Sequence, residues 1–150
     1  AEMYRKILVA VDFDTDAKKI LAQSRQLADV HGASLVLIHV TEPAALSAAM
    51  VGPDGLGMVT EDVELDEQLV EAARERLTNL AREAGLRDIE LRVELGLPAA
   101  TLVRVAGEIG ADLIVIGHHE RRGLALLFGA GTDSGVLHHA PCDVLALHAA

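Results

Sequence analysis

Apolar positions in this chain fall into two kinds of pattern. Ile7–Val11, Leu35–Val40, Leu113–Ile116 and Cys142–Leu147 are short, nearly continuous apolar runs. A strand covered on both faces reads as such a run, because neither alternating set of side chains meets water. Ile89, Leu91, Val93 and Leu95 instead alternate with Glu90, Arg92 and Glu94. Alternation implies one wetter face and predicts a strand at a sheet edge. Between these runs the period lengthens. Ala17, Ile20, Leu21, Leu27 and Ala28 recur at helical spacing with Ser24 on the same face, and Gly32 ends the segment. Leu65, Leu69, Ala73, Leu77, Leu80 and Ala84 mark a second helix stopped at Gly85. Leu102, Val103, Ala106 and Ile109 mark a third, stopped at Gly110, and a fourth is expected around Ser134–His139 before Ala140-Pro141.

The order β-α-β-loop-α-β-α-β-α-β predicts one α/β domain over residues 1–150, an open parallel sheet with right-handed crossovers and helices on both faces. Ala1 and Glu2 read as added residues ahead of a native Met3. The stretch from Thr41 to Glu64 carries Pro43, Pro53, Gly52, Gly55 and Gly57 and is long for a connection in a compact domain. Its apolar residues Met50, Val51, Leu56 and Met58 either cover a ligand cleft, meet a partner, or pack on a helix of the same subunit.

Composition narrows the function. Hydrophobic residues make up 51% of 150 positions, enough for a core. No apolar run approaches the ~18 residues of a membrane span, so no membrane role is expected. Cys142 is the single cysteine, which excludes an internal disulfide and favours a cytoplasmic location. A formal charge of −10 and the lack of tryptophan argue against nucleic acid as a partner.

Open α/β sheets bind ligands beyond the carboxyl ends of their strands. Those ends carry Val11-Asp12, Val40-Thr41, Leu95-Gly96 and Gly117-His118-His119. The segment after Gly117 holds Gly123, Gly129, Gly131, Thr132 and Ser134 ahead of a helix. That is a composition suited to phosphate or to plain turns. Asp12 either bonds a ribose hydroxyl or caps the following helix, the cap being the default. The pairs His118-His119 and His138-His139 have no cysteine or carboxylate at metal-ligand spacing, so no metal site is expected. No nucleophile elbow, P-loop or dinucleotide fingerprint is present, and no catalytic residues are assigned.

Lys6-Ile7-Leu8-Val9-Ala10-Val11-Asp12, Leu37-Ile38-His39-Val40, Ala111-Asp112-Leu113-Ile114-Val115-Ile116-Gly117 and His139-Ala140-Pro141-Cys142-Asp143-Val144-Leu145 together resemble the universal stress protein family over nearly the whole chain. The resemblance implies an adenine nucleotide alpha hydrolase-like fold with strand order 3-2-1-4-5. It also implies a homodimer paired through the last strand, with Cys142, Val144, Leu145 and Leu147 as interface candidates. ATP or another adenine nucleotide is the implied ligand, at Val11, Asp12, Val40, Gly117, Gly131 and Thr132. ATP-binding members carry glycine, two residues, glycine, nine residues, then glycine and Ser/Thr. Gly117 matches the first position, but Glu120 stands at the second glycine. Without a gap, Ala130 and Gly131 stand at the last two positions, and a one-residue shift puts Gly131-Thr132 there. The expectation is a dimeric stress-response protein, not an enzyme, with weak or absent ATP binding and an unknown protein client. The alternative is an adenine-nucleotide-binding module using the loop after Gly117, and a slow ATPase is the enzymatic variant of it.

Overall fold

A computed structural model describes residues 3–13, 16–45, 62–118 and 135–148. The elements are β1 (Lys6–Ala10), α1 (Ala17–His31), β2 (Ser34–Thr41), α2 (Val63–Glu83), β3 (Glu90–Leu95), α3 (Pro98–Ile109), β4 (Leu113–His118), α4 (Val136–His139) and β5 (Asp143–His148). All strand pairings are parallel, in the order β3-β2-β1-β4-β5.

The continuous apolar runs have a direct cause here. Ile7, Val9, Leu37, Leu113 and Val115 point to one face of the sheet, where Ile20 and Leu21 of α1 and Leu77 and Ala81 of α2 cover them. Leu8, Val36, Ile38, Ile114 and Ile116 point to the other, under Leu102, Val105 and Ala106 of α3 and Val136 of α4. Successive residues on a strand face opposite ways, so a sheet covered on both sides demands hydrophobicity at every position. β3 lies at an edge, and none of its residues is fully buried. On it Arg92 is paired with Glu90 and Glu94, and Glu94 also takes Arg104 of α3 at 2.9 Å.

Local chemistry sets the helix ends. The carboxylate of Asp16 accepts from Lys19 N at 3.3 Å, and that of Asp62 from Leu65 N at 3.0 Å. Gly32 and Gly110 close α1 and α3 with φ of 66° and 69°, a left-handed conformation that costs glycine little. In the turn before β4, the Asp112 carboxylate accepts from Arg5 N at 2.9 and 3.1 Å and from Lys6 N at 3.1 Å, while Asp112 N donates to Lys6 O at 3.0 Å. One side chain thus fastens the start of the central strand β1 to its neighbour.

The apolar stripe expected on α2 holds from Ala73 through Leu77, Leu80 and Ala84 but is displaced in the first turns. Leu65 and Leu69 are 41% and 37% exposed, whereas Asp66, Ala73, Leu77 and Ala81 are buried. Asp66 faces inward because its carboxylate accepts the main-chain N–H of Ala44 at 2.8 Å, just beyond β2. That bond supplies a partner to a half-buried donor, and α2 turns one residue away from the Leu65–Leu69 register to make it.

Candidate functional site

The sheet reverses its direction of growth at β1. The connections from β1 to β2 and from β2 to β3 run through α1 and α2 on one face, and the return from β3 to β4 runs through α3 on the other. The carboxyl ends of β1 and β4 therefore diverge into a crevice, the usual ligand position in such sheets. The register Ala10↔Ile116 brings Val11 level with Gly117 at its mouth.

Val11 is buried in the first cluster, and Asp12 follows it half-buried. Asp12 is not the helix cap. Asp16 fills that role. Val40 lies near the end of β2, packed on the second cluster. Thr41 beside it holds a buried Oγ1 that has no hydrogen-bond partner, alone among the described residues. Gly117 is half-buried on β4. Val40 and Gly117 thus lie on, and Val11 and Asp12 just beyond, strands whose carboxyl ends open at the same end of the sheet. Gly131 and Thr132, together with His119, Glu120, Gly123 and Gly129, lie outside the described residues, as do Met50, Val51, Leu56 and Met58. Among the described residues no group of three or more His, Cys, Asp or Glu side chains could hold a metal ion. No described helix is long and apolar enough to cross a membrane.

Residues that sequence patterning passed over gather beside this crevice. His39 Nδ1 lies 2.8 Å from Val11 O. The ring of Phe13 stacks on His39 with centroids 4.3 Å apart and planes 30° apart, and the Arg76 guanidinium sits over Phe13 at 4.2 Å from its centroid. The one available signal was Phe13 itself, one of two phenylalanines in the chain and set among acids.

At the opposite sheet edge, Cys142 and Val144 pack against the second cluster and Leu147 against the first, while Leu145 is 36% exposed. Of the four interface candidates, Leu145 is therefore the side chain turned most outward. Tyr4 OH donates to Asp143 Oδ2 at 3.0 Å. Burial pushes the Cys142 thiol above its ordinary range, and the carboxylates of Asp143 and Asp112 push the same way.

This topology, with its crevice at the switch point, defines an open parallel α/β domain of the kind that takes ligands at its strand ends. Residues 3–148 match the universal stress protein family, and the chain belongs to that family. It is 33% identical over 145 residues to universal stress protein A homolog 2 of Coxiella burnetii, covering 96% of this chain and 94% of that one. It is 27% identical over 144 residues to a universal stress protein of Methanocaldococcus jannaschii, covering 88% of each. Among solved structures, a universal stress protein family member from Burkholderia pseudomallei superposes with TM-score 0.68 at 27% identity over 99% of both chains. A universal stress protein in complex with cAMP gives TM-score 0.62 at 23% identity over 97% of both. One from Archaeoglobus fulgidus in complex with dAMP gives 0.60 at 22% identity, over 96% of this chain and 98% of that one.

Proposed function

We propose that this universal stress protein takes an adenine nucleotide carrying one phosphate in the crevice between β1 and β4, and holds ATP weakly or not at all. The observation that carries the reading is the convergence at the switch point, where β1 lies between β2 and β4 and Val11-Asp12 follows its carboxyl end. Asp12 would accept from a ribose hydroxyl, and Val11 and Val40 would wall the base. Gly117 opens the loop toward Gly131 and Thr132, the candidate phosphate donors. The solved relatives with cAMP and dAMP carry the same ligand class. Glu120 supports the limit to one phosphate. It stands in sequence where ATP-binding members have glycine, and a carboxylate there is a like charge to a polyphosphate. The stress role would then be ligand-dependent recognition of a client by a homodimer paired through β5 in the cytoplasm, without turnover.

Titration calorimetry with AMP, cAMP and ATP tests this. The expected result is measurable binding of a monophosphate, ATP at least tenfold weaker, and a gain in ATP affinity on Glu120→Gly. Tight ATP binding that Glu120→Gly leaves unchanged would overturn the account of Glu120. Silence of all three nucleotides would overturn the site.

A further inference from the structure

Asp12 is held by its neighbours on both sides. Val11 donates its N–H to Ile38 O at 2.8 Å, and its carbonyl faces His39 Nδ1 at 2.8 Å. A carbonyl oxygen can only accept, so this contact is a hydrogen bond with the proton on Nδ1. Both main-chain polar groups of Val11 are therefore taken by β2. On the other side of Asp12, the Phe13 ring lies between two flat groups, His39 of β2 and Arg76 of α2. Both stacking modes are favourable for an aromatic face. His39 serves twice, bonding the residue before Asp12 and stacking on the residue after it.

We infer that His39, Phe13 and Arg76 form a positioning device that fixes the Val11–Asp12–Phe13 segment and so presents Asp12 to the nucleotide sugar. The presentation rests on the nucleotide reading above; the pinning rests on the distances alone. An unpinned loop residue must lose conformational freedom when its ligand binds. A residue already fixed from two elements has lost it on folding. The stack also settles what Phe13 does not do. Arg76 and His39 already contact its ring, so the aromatic platform is used for fixing the chain and not for stacking the base.

The experiment compares wild type with Phe13→Ala, Phe13→Tyr and His39→Phe, the last keeping a ring but losing the Nδ1 proton. Amide hydrogen exchange at Val11 is read against Val115, a fully buried residue of β4 that reports global opening. AMP and dAMP titrations are run on the same samples. The expected result is about tenfold faster exchange at Val11 in Phe13→Ala and His39→Phe, with Val115 unchanged. AMP affinity falls about tenfold, the preference for AMP over dAMP shrinks toward one, and Phe13→Tyr restores all three. A merely structural stack would not change the sugar preference. Unchanged Val11 exchange in both disrupted variants overturns the proposal. So does faster exchange with AMP affinity and sugar preference intact. If wild type binds neither nucleotide, the nucleotide reading has failed, and the exchange data alone decide whether the stack pins the segment.

Discussion

Removing the Asp112 carboxylate tests how the central strand is fastened. In Asp112→Ala, two main-chain donors, Arg5 N and Lys6 N, lose an acceptor now at 2.9 to 3.1 Å. A hydrogen bond to a charged group contributes about 1.5–3 kcal/mol when protected from water. Lys6 N is part-buried and keeps most of that, whereas Arg5 N is exposed and recovers a water. The expected loss is therefore about 2–3 kcal/mol in all. For a chain of this length that lowers Tm by about 5–10 °C. Asp112→Asn keeps one acceptor oxygen and should lose about half as much. Urea unfolding followed by far-ultraviolet circular dichroism gives the free energies, with an unchanged m-value confirming that the denatured state is the same. A loss below about 0.5 kcal/mol for Asp112→Ala would refute the reasoning, since that is within the ordinary range of a surface substitution.

Three further outcomes are expected. In Gly96→Ala the new Cβ would lie 2.6 Å from Thr101 Oγ1, on a buried threonine, so the variant should lose about 1–3 kcal/mol; a double-mutant cycle with Thr101→Ala should recover part of that loss, and strict additivity would exclude the clash. Burial and the flanking carboxylates keep the Cys142 thiol protonated to higher pH, so iodoacetamide should modify the folded protein more slowly than the urea-unfolded chain at pH 8, with the folded rate climbing only at more alkaline pH; equal rates would contradict this. Leu145→Lys, which places a charge on the outer edge of β5 without entering either core cluster, should shift sedimentation from dimer toward monomer at micromolar concentration, and a wild-type monomer there would remove the dimer altogether.

The sheet was legible because burial on both faces leaves a mark at every strand position, and β3 was legible as an edge because its outer face is charged. The first turns of α2 were not. Leu65 and Leu69 look like core residues by hydrophobicity, yet Asp66 takes the inner position because the Ala44 N–H needs an acceptor. Hydropathy ranks side chains by their transfer from water and carries no record of a distant unpaired donor. The cap of α1 was ambiguous for a related reason. The default reading of the sequence assigns the cap to Asp12, but Asp16 carries the same side chain and holds the cap in the structure, and backbone geometry alone chooses between them. The stack of His39, Phe13 and Arg76 joins three segments far apart in sequence, and neither helical nor strand periodicity couples positions so distant. The placement of Val11, Asp12 and Gly117 at the ends of strands could be read in advance because those ends are set by the same apolar runs that define the strands.

The charge ladder on β3 has a bearing on how large an assembly this chain can build. Suppose two copies met edge to edge along β3, antiparallel about a two-fold axis through Arg92. Arg92 would then oppose Arg92, and each Glu90 would oppose a Glu94. Like charges directly across a strand pair are unfavourable, and each side chain already has its own ion pairs. Joining through β5 leaves a β3 at each outer margin of the combined sheet. Such a sheet would span ten strands, twice the five of one chain, with a charged strand at each margin. In that register the charges of β3 disfavour growth at its margin, whereas β5 carries no such ladder of charges.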